Sequence, residues 1–139
     1  MLAQNFKSAA DLGISEPQLS ALQKTLVMLE TGKLEHAKLG DRPSGDYREG
    51  GEFTGHFNMG RWQAVEECGT VCCIAGTAEL IGGVKFPTEN YGSNYALKHL
   101  FWVGGFFGGD ISYITPAQAA VALRSYLTTG DANWDMALS

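Results

Sequence analysis

Three thiols, three imidazoles and one isolated carboxylate are the groups through which this chain of 139 residues could do covalent or metal chemistry. All three cysteines, Cys68, Cys72 and Cys73, fall in the stretch 68–83, Cys-Gly-Thr-Val-Cys-Cys-Ile-Ala-Gly-Thr-Ala-Glu-Leu-Ile-Gly-Gly, where Glu79 is the only charge between Val71 and Ile81. Thr70 has the side chain of an N-cap and Gly82–Gly83 that of a left-handed stop, so the pattern predicts a short buried helix over Val71–Ile81. Cys72 and Cys73 would then sit in its first turn, where unpaired amides and the macrodipole lower a thiol pKa. That makes either one a candidate nucleophile, with His99 or His56 as base and Asp110 or Glu79 as the orienting carboxylate. The competing reading, favoured here, is that the cysteines are small core residues, the commonest place for free cysteine.

Spacing separates the alternatives further. The string Cys-Gly-Thr shares its start with the Cys-Gly-Ser-Cys of papain-like enzymes, but those place the histidine far downstream, and only 26 positions separate Cys73 from His99. For zinc, Cys68 and Cys72 have a permissible gap, yet no second knuckle follows and His36, His56 and His99 are isolated, so no metal is expected. Gly69 and Thr70 suggest a ligand site at the helix start, since first-turn amides favour an anion. No lysine or arginine lies within the motif, so a purely structural cap competes. Finally, Trp102-Val-Gly-Gly-Phe106-Phe107-Gly-Gly holds two aromatics between glycine pairs, which suits a lid over a planar ligand or partner as well as a core plug at a bend. Its spacing is not a dinucleotide fingerprint, and no cofactor is implied.

Glycine mid-helix costs about 1 kcal/mol relative to alanine, so Gly76 must be compensated, most simply by close approach of another backbone or a ligand. Around this stretch the elements are helical. Ser15, Pro17 and Gln18 spell a capped start, with Leu19, Leu22, Leu26 and Leu29 as an apolar stripe and Gly32 as the stop. Thr115, Pro116 and Gln118 repeat that start for a last helix ending at Gly130, and Trp134 follows in a short tail. Ser93 caps a short helix over Asn94–Phe101. Residues 33–60 read as a long glycine-rich surface excursion with a short hairpin near Phe53–Phe57, and Gly60–Glu67 as another short helix. The expectation is a mainly α single domain over 1–139, a bundle of four to five helices.

Composition bounds the function. Net charge is −5 with a pI near 5.1, and the basic residues are scattered, which argues against nucleic acid. No apolar run approaches the ~18 residues of a membrane span and no secretory signal opens the chain, which points to the cytoplasm and to reduced thiols. The 18 glycines are nearly twice the roughly 7% of average usage, in keeping with long mobile loops.

Phe57-Asn58-Met59, Trp62, Cys68-Gly-Thr-x-x-Cys73-Ile-Ala-Gly76, Leu100-Phe101 and Thr129-Gly130 before Trp134 together resemble small uncharacterised proteins of bacteriophages, prophages and bacteria. The likeness covers roughly 53–134; Thr77 stands where a bulkier residue or histidine is expected, and Phe106-Phe107 is peculiar to this chain. It implies no established activity or cofactor. The expected function is a non-catalytic phage-type accessory protein binding a host protein or small ligand in the host cytoplasm, through Gly69, Thr70, Trp102, Phe106 and Phe107. The alternatives are a thiol-dependent hydrolase or transferase using Cys72 or Cys73 with His99, and a virion structural component. Self-association is open.

Overall fold

The computed structural model describes residues 5–38, 48–66, 69–87, 90–103 and 111–139. Among them run helices α1 (Ala9–Leu12) and α2 (Glu16–Glu30), strands β1 (Glu35–His36), β2 (Phe53–Phe57), β3 (Gln63–Glu66) and β4 (Gly69–Cys72), helices α3 (Ile74–Gly82) and α4 (Tyr95–Phe101), a 3-10 turn (Ile111–Tyr113), and helices α5 (Pro116–Thr129) and α6 (Trp134–Leu138).

The architecture is α/β, which overturns the expected helical bundle. The strands form one mixed sheet in the order β1-β2-β4-β3. β1 and β4 both run parallel to β2, while β3 and β4 pair antiparallel from Gln63↔Cys72 to Glu66↔Gly69. Phe53–Phe57 is therefore a central strand rather than a hairpin, and Gly60–Glu67 contributes a strand instead of a helix. The excursion over 33–60 supplies both β1 and β2. The sheet is hidden from a periodicity reading because β1 has only two residues and the three longer strands do not alternate between buried and exposed positions, the pattern by which a half-buried strand declares itself.

The capped helices form as their sequences require. Ser15 and Gln18 exchange both capping-box bonds at α2, and Thr115 and Gln118 do the same at α5. Gln18 Nε2 also donates to the Lys85 carbonyl at 2.7 Å, so the cap fastens α2 to the chain leaving α3. At the sheet, β4 leads into α3 through Cys73, and this helix starts three residues later than the pattern suggests. Cys73 is its N-cap, its sulfur accepting from the Gly76 amide, whereas Thr70 lies within β4. Gly83 closes α3 in the left-handed conformation, φ 64°.

Gly76 is compensated by backbone contact. A β-carbon there would lie 1.6 Å from the Trp62 carbonyl oxygen, and one on Gly82 would lie 2.4 Å from the Ala21 β-carbon. The small-residue face of α3 thus presses against the chain entering β3 on one side and against α2 on the other. Leu22, Leu26, Phe57, Ile74, Leu100, Leu123 and Tyr126 fill the core between α2, α3, α5 and the sheet.

Candidate functional site

The pressed contact at Gly76 sets the Trp62 backbone against the first turn of α3, and about one turn further on the lone acid of the helix turns inward. The Glu79 side chain is 1% exposed. Its Oε1 accepts from Trp62 Nε1 at 2.9 Å and Gln63 Nε2 at 2.8 Å; its Oε2 accepts from Arg48 Nη2 at 2.9 Å and the Phe86 amide at 2.8 Å. A carboxylate offers about four acceptor positions, and these four donors fill them. Burying a charge this deeply is tolerated only when it is paired and hydrogen-bonded, as here. Glu79 is consequently a structural tie between α3, β3, the segment after α3 and Arg48. No lone pair remains on it for a metal or a substrate proton.

Around that tie lies an aromatic cluster. Phe101 meets the Trp62 ring edge-on at 5.7 Å, Trp102 leans on it at 5.8 Å and 34°, and Phe86 meets Phe101 at 5.0 Å. The Arg48 guanidinium lies over the same indole, its Cζ 5.1 Å from the ring centroid. Arg48 also donates to the Phe86 carbonyl, which anchors one of its nitrogens twice. Trp102 Nε1 donates to the Tyr91 hydroxyl at 3.0 Å, and that hydroxyl donates to the Pro87 carbonyl. Trp62 and the two phenylalanines are buried, while Tyr91 and Trp102 are half-buried and the Arg48 side chain is 34% exposed. The cluster therefore starts in the core and ends at the surface in an arginine, a tyrosine and a tryptophan.

The thiols are placed differently. Cys72 is fully buried at the end of β4 and Cys73 is 2% exposed at the N-cap of α3. Burial pushes both up to about 12, with the Cys73 sulfur and Glu79 adding to the effect at Cys72. At Cys73 the amides of Gly76 and Ala75 pull the other way, as expected at a helix start, but desolvation outweighs them. Neither thiol is hydrogen-bonded to a histidine among the described residues. His99 is half-buried on α4, where its carbonyl accepts from Trp134 Nε1 at 2.9 Å, and His56 Nδ1 meets the Thr54 hydroxyl at 2.9 Å on β2. Among the described residues no three His, Cys, Asp or Glu side chains converge as a metal site would require.

Gly69 and Thr70 stand in β4, ahead of the helix rather than at its first-turn amides. Gly69 has φ 120°, and a β-carbon there would lie 2.6 Å from the Thr54 hydroxyl, so strand packing accounts for it. Cys68, Phe106, Phe107 and Asp110 lie outside the described residues.

Sequence reasoning placed Trp102 in the site but missed Arg48, Tyr91 and the role of Glu79. A lone acid in an otherwise apolar helix was the available signal, because such a charge must find a partner. Which arginine answers it depends on the fold. No protein family, curated protein or solved structure matches the chain. No helix among the described residues is long and apolar enough to cross a membrane.

Proposed function

We propose that this is a non-catalytic binding protein that docks a host protein through the surface formed by Arg48, Tyr91 and Trp102, in the accessory role that the phage-type resemblance implies. The observation that carries this reading is the gripped arginine, held at Nη2 by Glu79 and placed over the Trp62 ring at the rim of the aromatic cluster. Arginine, tyrosine and tryptophan are the side chains that dominate interface energetics. Side chains already held by hydrogen bonds within the protein lose little conformational freedom on docking, which favours affinity. The groups that could have done chemistry point the other way, since Glu79 is saturated and both described thiols are buried and protonated at neutral pH.

The test is affinity capture from bacterial host extract with the intact protein and with Trp102→Ala and Arg48→Gln, quantified by mass spectrometry. One protein recovered in near-stoichiometric amount by the intact chain and lost by both variants is the expected result. A retained set unchanged by either substitution overturns it. Native mass spectrometry of the purified protein separates the other readings. A bound small molecule indicates a sequestering protein, and a homogeneous high-order assembly a virion component. Fast native alkylation of one cysteine by iodoacetamide would restore the thiol enzyme.

A further inference from the structure

On α5, away from the Glu79 cluster, a groove of about 630 Å³ opens between the end of α2, the outer face of α5 and α6. Its volume falls within the roughly 300–1,000 Å³ of small-ligand sites. Leu29 and Ala120 are its buried floor, and Val121 and Met136, 40% and 54% exposed, stand at its sides. These are apolar side chains left in water, one of them the adaptable thioether that conforms to varied ligands.

The polar groups of the groove share one property. Ser125, Thr128 and Thr129 each donate their hydroxyl proton to a backbone carbonyl, of Asp131, Arg124 and Ser125 respectively. Ser125 and Thr129 also accept one bond each, from the Asn133 and Asp131 amides, so what each hydroxyl can still offer a ligand is a lone pair and no proton. Glu30 accepts one bond on each oxygen from Arg124, at 2.6 Å from both Nε and Nη2, and each oxygen keeps further acceptor capacity. The wall is therefore rich in acceptors, and the arginine at its edge has committed these two nitrogens to Glu30. The chain as a whole carries a net charge of −5, which raises the local concentration of cations over anions.

We propose that this groove binds a small apolar amine, its hydrocarbon body against Leu29, Ala120, Val121 and Met136 and its ammonium donating to Glu30 and the α5 hydroxyls. A carboxylate of the same shape would face Glu30 and three hydroxyls that have already given their protons, with only the Glu30-paired Arg124 to donate to it. This site shares no residue with the docking surface proposed above, and its failure or success leaves that reading untouched.

The experiment titrates the isotopically labelled full chain with phenethylammonium and, separately, with phenylacetate, following backbone amides by NMR. Saturable shifts at Val121, Thr128 and Met136 with the ammonium, absent with the carboxylate, are expected. Val121→Lys and Met136→Lys each place a cation on an exposed position of the groove and should weaken binding at least about tenfold with the spectrum otherwise folded. The proposal is overturned if the ammonium gives no saturable shift, if phenylacetate binds as well, or if both lysine variants bind as the native chain does.

Discussion

At the scale of the residue, the consequential feature is the Glu79 carboxylate, because four donors depend on it and three of them, the Trp62 indole, the Gln63 side-chain amide and the Phe86 backbone amide, belong to buried residues. In Glu79→Gln an NH2 replaces one oxygen and faces donors that need an acceptor. An orphaned buried donor costs the desolvation of that group, and the ion pair to Arg48 is lost as well. We expect a loss of about 2–4 kcal/mol in urea unfolding, a large share of the roughly 5–15 kcal/mol that holds a domain together. Arg48→Gln removes the charge partner but leaves the carboxylate its three other donors. Because the two substitutions break one shared interaction, the double variant should cost less than the sum of the singles by about 0.5–3 kcal/mol. Strict additivity would show that Arg48 and Glu79 do not act as a pair.

At the scale of the element, α3 is held where it is by the absence of a side chain. Gly76→Ala would drive a β-carbon to 1.6 Å from the Trp62 carbonyl oxygen, and because that neighbour is backbone it cannot swing aside. Helix propensity alone favours alanine by about 1 kcal/mol. The structure predicts the opposite sign, a variant that fails to fold or unfolds at much lower urea, and circular dichroism through a urea titration distinguishes the two. Gly76 also shows what could be read from the sequence. A glycine inside a helix demands a close neighbour, and the capping boxes at Ser15 and Thr115 announce α2 and α5 with local bonds; these features are written within a few consecutive residues. The sheet is not. β1 is two residues long and β4 is half glycine and cysteine by sequence neighbourhood, so their strand character comes from pairing with β2 across the chain. The start of α3 slipped for the same reason, since Val71 and Cys72 are taken by β4 and pass the cap to Cys73. Of the site, Trp102 was legible as an aromatic beside glycines. The pairing of Arg48 with Glu79 spans 31 positions, and no local pattern encodes it.

At the scale of the whole molecule, burial of ionisable groups ties stability to pH, and here the sign is set by acids held neutral. Cys72 and Cys73 rise from 9.0 to about 12, and the Tyr126 hydroxyl, buried and without a hydrogen-bond partner among the described residues, is raised by the same desolvation. Each of these groups is easier to ionise in the unfolded chain than in the folded one. Above the unfolded value the native state therefore holds more protons than the unfolded state, and stability falls as pH increases. The contribution is complete below about pH 9 and is lost progressively as pH climbs through the folded values near 12. Urea midpoints measured from pH 7 to pH 11 should be level at first and then decline above pH 9. Cys72→Ala removes one ionisable group from a buried strand end and should make that decline shallower, even though the cavity it leaves lowers stability at every pH. The slope and not the midpoint is the informative quantity. A Cys72→Ala slope equal to that of the native chain would mean that Cys72 ionises as readily folded as unfolded, and with it would go the physical ground for treating this thiol as a closed part of the core.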